Sequence, residues 1–397
     1  MELRSFITVD EAIRKGRTYC PKIVHKKVPL IEGVGRYSMQ EVISPSDFPK
    51  TDRSAMDGYA ISSKDSISSS RSNPSVFSIV GELYPSSKSS ISVKKGQAVK
   101  VMTGATIPGG TDSVVMFEET QAEGKILKVF SPVRKFQNIS RRGEDMKKGL
   151  RILKKGQLIT PPHVAALSEC GKNSVSICSL SIGILSTGDE LVSRQVINST
   201  QPLLKAYFDR KGFYAKEYGS VEDDEEKIER RLTEINEDVI IVTGGTGPGD
   251  RDFLPYIIEE NGKFVFRGLR IRPGRTTSFG WFNGKPIFMI SGLPVAALIA
   301  SENVILRMIE SWFNLIPERK EYVEGVLQRS VVNTLGFRSF VRVKVIEEHG
   351  SRKVVPTRTT GSGVIYSVID ADGILTIDEN SEGLEEGQTV RVEMLRW

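Results

Sequence analysis

Asp238-Val239-Ile240-Ile241-Val242-Thr243-Gly244-Gly245-Thr246-Gly247-Pro248-Gly249-Asp250-Arg251-Asp252 is the stretch whose reading decides the fold. Its first half is a short apolar, β-branched run that reads as a buried strand. Its second half is glycine-dense, so the chain turns sharply and backbone N–H groups can approach a ligand closely. A helical pattern resumes at Leu254 to Glu260. Strand, glycine turn and helix in that order form the repeating unit of a parallel sheet covered by helices.

Outward from this stretch the same alternation continues. Ser181 to Leu185 reads as another buried strand, Pro202 to Lys211 as a helix and Tyr214 to Gly219 as a strand. Asp223 to Ile235 is a charged amphipathic helix with Ile228, Leu232 and Ile235 on one face, and Val295 to Trp312 is a long apolar helix. Residues 181–317 are therefore expected to form a central, doubly wound αβα domain with a mostly parallel sheet, which binds ligands beyond the carboxyl ends of its strands. Before it, Val9, Ala12 and Ile13 mark a short helix over residues 9–18. Short β segments such as Val99 to Met102 and Ser113 to Phe117 then alternate with Gly, Pro and Ser, and the Ser-rich stretch Ser62 to Ser75 reads as a surface loop. After Pro317 the helical pattern stops. Tyr322 to Leu327, Phe340 to Ile346, Val354 to Thr357, Gly373 to Asp378 and Thr389 to Met394 suggest a small C-terminal β-barrel or sandwich. The expected class is α/β multidomain.

Composition narrows the function. The 397 residues carry a net charge of +6, with 39% hydrophobic and 26% charged residues, a balance typical of soluble globular proteins. No run of about eighteen apolar residues exists to span a membrane, and the first residues lack the pattern of a secretory signal. Three cysteines, Cys20, Cys170 and Cys178, are too few and scattered for a disulfide framework. A cytoplasmic location is expected. The three histidines, His25, His163 and His349, make no zinc-spaced cluster with them. The basic residues are dispersed rather than interleaved with aromatics, which argues against nucleic acid and leaves a smaller anion as the partner.

Four sets of residues carry candidate chemistry. Gly244, Gly245, Thr246, Gly249, Asp250 and Asp252 lie on a strand-to-helix turn suited to a phosphate, although the turn has neither the P-loop lysine nor the dinucleotide spacing. Ser186-Thr187-Gly188-Asp189-Glu190 ends a second strand. Its carboxylates could hold magnesium against a phosphate, or Asp189 could simply cap a helix. Both turns should emerge on the same edge of one sheet. Arg270-Ile271-Arg272-Pro273-Gly274-Arg275 puts guanidinium forks, which suit tetrahedral oxyanions, on a rigid turn. Thr51 to Ala60 and Arg141-Arg142-Gly143-Glu144-Asp145 are charged turns in the first half whose chemistry the residue types alone leave open.

Taken together the chain resembles the molybdopterin molybdenumtransferase family, also found as the C-terminal domain of gephyrin. The resemblance rests on Ser54 to Ala60 (SAMDGYA), Met102 to Ala105 (MTGA), Arg141 to Asp145 (RRGED), Ser186 to Leu191 (STGDEL) and Thr243 to Asp252 (TGGTGPGDRD). It implies four domains: residues 1–45 with 147–180, an inserted β-rich domain at 46–146, the central domain at 181–317 and a C-terminal β domain at 318–397. It also implies a reaction in which adenylylated molybdopterin is hydrolysed, AMP leaves and molybdate, or tungstate, enters the dithiolene with the help of Mg2+. The subunit would form a homodimer whose cleft is shared. By resemblance, Asp57, Thr103 and Asp145 face that cleft from the partner subunit. Glu190, Asp223 and Asp252 serve magnesium and the phosphate, Arg272 stands where the family usually has lysine, and Arg342 and Ser362 help hold the oxyanion. Arg275 and Ser291 belong to the same substrate-binding set, and a molybdopterin adenylyltransferase is an expected partner. Three features depart from the family pattern: Ser291-Gly292-Leu293-Pro294-Val295 is two residues short, Gly268 replaces a lysine, and the spacer after Leu191 is reduced. The alternatives are an adenylyltransferase-like nucleotide enzyme built on the central domain, and a non-catalytic scaffold that kept the fold.

Overall fold

The computed structural model describes residues 6–22, 25–87, 91–245, 253–358, 361 and 363–395. The chain folds into two compact units. One comprises Met1–Gln40, Lys154–Val164 and Ser174–Trp397; the other comprises Glu41–Leu153 and Ala165–Asn173.

The centre of the larger unit is a six-stranded sheet. Its strands are β1 (Ser181–Thr187), β2 (Tyr214–Val221), β3 (Val239–Thr243), β4 (Gly262–Arg267), β5 (Ser278–Phe282) and β6 (Lys285–Ile290), in spatial order β2-β1-β3-β6-β5-β4. The first four in that order are parallel; β5 pairs antiparallel with β6, and β4 pairs antiparallel with β5 at the sheet's edge. Every residue of β3 is buried, as a strand covered on both faces must be. Ile182, Ile184 and Ile241 face one core, while Leu185, Ile240 and Val242 face the other. The expected helices are present as Thr200–Arg210, Glu225–Thr233 and Leu254–Asn261. The antiparallel pair β5–β6 was not anticipated, because its turn, Asn283-Gly284, joins two apolar runs that also resemble a buried helix.

The long C-terminal helix is interrupted. Pro294–Ala300 and Leu306–Phe313 are α-helical, and Ser301–Ile305 between them is a π-helical turn. Beyond it, β7 (Tyr322–Leu327), β8 (Arg338–Glu348), β9 (Ser351–Arg358), β10 (Gly373–Ile377) and β11 (Thr389–Met394) run in the order β8-β9-β7-β11-β10. Pairing of β10 with β8 closes these five strands into a barrel. Its interior holds Leu327, Val341, Val343, Val354, Leu375 and Val392. One short helix, Tyr366–Ile369, stands where helices were expected to have ended.

The smaller unit contains a six-stranded sheet built from Ser113–Met116, Gly58–Ile61, Gln97–Val101, Ser75–Leu83, Ile126–Val129 and Thr120–Glu123, in that order. Gly58 is required there: a Cβ would lie 2.0 Å from the Val115 carbonyl oxygen. The Ser-rich stretch is less loose than its composition suggests. Ser63 donates from N–H and hydroxyl to Asp112, at 2.6 and 3.0 Å, and Ser66 is fully buried. A helix spanning Pro161–Glu169 follows among the β segments. Among the described residues no helix is long and apolar enough to cross a membrane.

Candidate functional site

Three strand ends meet at one edge of the central sheet. The registers Ser186↔Thr243 and Thr243↔Ile290 bring Thr187-Gly188, Gly244-Gly245 and Ser291-Gly292 out side by side. The hydroxyls of Ser186 and Thr243 lie 2.8 Å apart and are buried. Asn198 clamps the edge: its amide nitrogen donates to Ser186 Oγ at 2.8 Å and to Ser220 Oγ at 3.2 Å. Thr200 donates its hydroxyl to the Gly292 carbonyl at 2.5 Å. These clamps were not picked out in the sequence, because isolated Asn and Thr residues look like ordinary helix-start residues.

Two glycines are compulsory at this edge. Gly244 has φ +93°, and a Cβ on it would stand 2.4 Å from the Thr187 carbonyl oxygen. Gly188 has φ +148°, and its missing side chain leaves room for Glu190, whose carboxylate oxygens fold back to 2.6 and 2.8 Å from the position of a Cβ. Asp189 Oδ1 accepts the Asp223 N–H at 3.1 Å, which ties the ends of β1 and β2 together. Glu190, Asp189 and Asp223 thus gather at the expected edge. Thr246, Gly249, Asp250 and Asp252 lie outside the described residues, so the third proposed magnesium ligand is not placed. Among the described residues no three His, Cys, Asp or Glu side chains form a group able to hold a metal ion. The Glu190 carboxylate has no hydrogen bond or ion pair there, and its hard oxygens are of the kind magnesium selects.

The arginine turn also comes together. Arg272, Arg275, Thr276 and Ser291 line a cavity of about 240 Å3 with Gly274 and Ala296. The turn is braced from within: Thr277, fully buried, donates its hydroxyl to the Gly274 carbonyl at 2.7 Å. Arg272 donates to Thr334 Oγ1 at 2.5 Å, and its guanidinium carbon sits 4.9 Å from the centre of the Phe337 ring. Stacking of this kind holds a guanidinium fork in one plane. Gly268 has φ +89°, and a Cβ there would lie 2.7 Å from the Phe6 ring. A lysine at this position would be strained and would displace Phe6, which gives the departure from the family pattern a physical reason.

Arg342 lies on β8, the strand whose first residues pair in parallel with Ile271–Arg272. It is only 2% exposed and donates from Nε to Ser367 Oγ at 3.2 Å. Strand alternation points it away from the barrel interior occupied by Val341 and Val343, to the side of Phe340. Arg342 is not on the wall of the arginine-turn cavity, and Ser362 lies outside the described residues.

In the smaller unit Asp57 and Thr103 form one device. Thr103 donates its N–H and its hydroxyl to Asp57 Oδ1, at 2.7 and 2.8 Å. These bonds, the backbone one first, hold the Asp57 carboxyl below its usual range. Asp145 is exposed on the neighbouring turn, its N–H donated to the Phe48 carbonyl at 3.2 Å. That turn is held by two aspartates, Asp52 from the charged turn at Thr51 to Ala60 and Asp47, which no pattern in the sequence singled out. Asp52 accepts the Arg142 N–H at 2.7 Å, and Asp47 accepts Arg142 Nε at 2.7 Å and the Lys148 N–H at 2.8 Å. Arg142 is therefore used to brace the turn.

Known proteins match this arrangement along its length. Residues 7–171 match the model described as "MoeA N-terminal region (domain I and II)", residues 183–311 the "Probable molybdopterin binding domain" and residues 324–395 the "MoeA C-terminal region (domain IV)". A protein of Methanocaldococcus jannaschii named for molybdopterin biosynthesis is 36% identical over 389 residues, covering 94% of this chain and 92% of the relative. The chain belongs to the MoeA family. A second MoeA relative, the molybdopterin molybdenumtransferase of Bacillus subtilis, is 32% identical and covers 100% of this chain and 96% of the relative. The crystal structure of a molybdopterin biosynthesis MoeA protein from Pyrococcus horikoshii superposes with a TM-score of 0.81 at 26% identity, covering 99% of this chain and 100% of that one.

Proposed function

We propose that this MoeA-family chain is a molybdopterin molybdenumtransferase that takes adenylylated molybdopterin, releases AMP and inserts molybdate, or tungstate, into the dithiolene. The observation that carries the reading is the convergence of two anion-receptive elements in one unit. One is the glycine-lined edge of the central sheet; the other is the arginine turn, and Ser291, which leaves that edge, also lines the arginine cavity. The bound substrate carries a diphosphate linkage and the second reactant is a tetrahedral dianion, so both elements have an anion to hold.

Each residue has a role under this reading. The Gly245 N–H receives a phosphate oxygen at the strand ends, while the N–H groups of Gly188 and Gly244, donated to the Val221 and Ile290 carbonyls at 3.0 and 3.1 Å, fix the two turns that shape the phosphate place. Glu190, Asp223 and Asp252 would hold magnesium, which supplies charge neutralisation at the diphosphate when bound. Asp189 orders this carboxylate set through its bond to the Asp223 N–H. Arg272 and Arg275 receive the oxyanion, with Ser291 as a neutral donor, and Arg342 and Ser362 contribute from the barrel side. Water cleaves the phosphoanhydride bond, AMP and the pterin phosphate separate, and the two dithiolene sulfurs bind the metal as one oxygen of the oxyanion leaves as water carrying the two thiol protons. Preorganised cations stabilise the charge that develops on the leaving phosphate.

The reading extends to assembly. The subunits pair as a homodimer in which Asp57, Thr103 and Asp145 of one subunit face the strand-end site of its partner. The four domains divide at the boundaries set by the resemblance, a separate molybdopterin adenylyltransferase supplies the substrate, and the enzyme works in the cytoplasm. A crystal soaked with molybdate and AMP tests the site directly. The expected density is one tetrahedral anion on Arg272 and Ser291 with the AMP phosphate at Gly244. An anion bound elsewhere, with both places empty, removes the reading.

A further inference from the structure

A second cavity, of about 530 Å3, lies in the larger unit and shares no lining residue with the arginine-turn cavity. Its floor is the long helix, which presents Ile299, Glu302, Leu306 and Glu310 at helical spacing. Lys211 lines another side, and Arg319, Lys320 and Phe340 line the side toward the barrel. The volume falls in the range of small-molecule pockets, roughly 300–1,000 Å3.

Most charges along this wall are already matched. The Glu302 side chain, 14% exposed, sits 3.7 Å from Lys211 Nζ and 3.2 Å from Lys320 Nζ, and accepts the Tyr207 hydroxyl at 2.5 Å. Lys211 also pairs with Glu318 at 3.0 Å, and Lys320 with Glu393 at 2.7 Å. Arg307 is held by Asp10 at 3.0 Å and Arg338 by Glu379 at 2.9 Å. Three charged lining side chains have no hydrogen bond or ion pair among the described residues: the half-buried Glu310 carboxylate and the exposed guanidiniums of Arg210 and Arg319. Burial, then the negative charge of Glu302, pushes the Glu310 carboxyl up to about 7. The π-helical turn at Ser301–Ile305 carries Glu302 and Asn303 onto the cavity wall and leaves Ser301 Oγ buried without a partner. Such π-helical turns are frequent at functional sites; Ser301 itself is fully buried and does not line the cavity.

We propose that this cavity is a second binding site, for a small zwitterion with an amine or guanidinium at one end and a carboxylate or phosphate at the other. The cationic end meets Glu310 and offsets its crowding against Glu302. The anionic end meets Arg210 and Arg319. The matched network around Glu302 is preorganised and sets the shape of the wall between them.

The test is isothermal titration of the full chain with two probes, O-phosphoethanolamine for the phosphate form and L-arginine for the carboxylate form. Inorganic phosphate, ethanolamine and acetate serve as one-ended controls. The expected result is one saturable site per chain for at least one two-ended probe, with Kd below about 1 mM and at least tenfold tighter than either half alone. Glu310→Gln and Arg319→Ala each weaken it about tenfold or more, while Arg272→Ala leaves it unchanged. A melting curve for Glu310→Gln confirms that this near-isosteric variant folds. No saturable binding of either probe overturns the proposal. So does binding that survives both Glu310→Gln and Arg319→Ala, or that is lost with Arg272→Ala and so belongs to the first cavity.

Discussion

Replacing Gly244 by alanine tests whether the strand-end turn is as tightly specified as its geometry requires. Two costs fall on the new methyl group. The backbone sits at φ +93°, where a side chain costs about 1–2 kcal/mol. The Cβ would also stand 2.4 Å from the Thr187 carbonyl oxygen, far inside van der Waals contact. Relief requires β1 and β3 to separate at the Ser186–Thr243 register, and backbone displacement of that kind adds roughly 1–3 kcal/mol. Gly284→Ala is the matched control, because Gly284 has φ +81° but nothing lies within 4 Å of its Cβ position. It should show the conformational cost alone. At about 3 °C per kcal/mol for a domain of this size, Gly244→Ala should melt several degrees below Gly284→Ala. Scanning calorimetry of both variants gives the difference. AMP release should fall at least tenfold in Gly244→Ala and stay near wild type in Gly284→Ala, because only the first displaces the turn that carries the Gly245 N–H offered to the phosphate. Equal melting temperatures, or a fully active Gly244→Ala, would show that the close approach does not constrain the site.

Four further outcomes are expected. Arg272→Ala removes a charged hydrogen-bonding fork worth about 1.5–3 kcal/mol, so molybdate affinity measured by equilibrium dialysis should fall roughly tenfold to a hundredfold, with Arg272→Lys in between. Thr103→Val deletes one of the two donors to Asp57, so carboxyl NMR should show the Asp57 pKa moving up toward the ordinary aspartate value. Glu310 titrates near 7 in the fold and near 4.5 when free, so its contribution is whole below about pH 4.5 and is lost as pH rises through 7. Glu310→Gln should therefore match wild type near pH 4 and exceed it by about 1–3 kcal/mol at pH 8 in denaturant titrations. Substrate binding should weaken as salt rises, because exposed charges are screened over about 8–10 Å at 0.1–0.15 M; a flat response to ionic strength would count against electrostatic capture.

Much of this architecture could be read from periodicity and punctuation. The continuous apolar runs at Ser181 to Leu185 and Asp238 to Val242 and the glycines after them carry enough local information to specify parallel strands and their turns. The convergence of the turns after Ser186 and Thr243 on one sheet edge could be anticipated, whereas the arrival of Ser291 beside them depends on β6, which could not. What escaped is non-local. Asn198 and Asp47 act by bonding to segments that only the fold brings near, and nothing in their own neighbourhoods marks them; Asp52 lies in a marked turn, but its bond to the Arg142 N–H is equally non-local. The β5–β6 hairpin was hidden because a doubly buried strand and a buried helix share the same apolar composition. The π-helical turn left no trace, since Ser301-Glu302-Asn303 fits an ordinary helix. The second cavity depends on residues more than three hundred positions apart, from Val9 to Leu395.

The most direct measurement is the molybdenum bound to pterin per AMP released when the purified chain is given adenylylated molybdopterin, magnesium and molybdate. One metal atom incorporated per AMP is expected for the wild type, with both quantities falling together in Arg272→Ala. AMP release without incorporation of molybdenum or tungsten, or no release at all, would contradict metal insertion at this site.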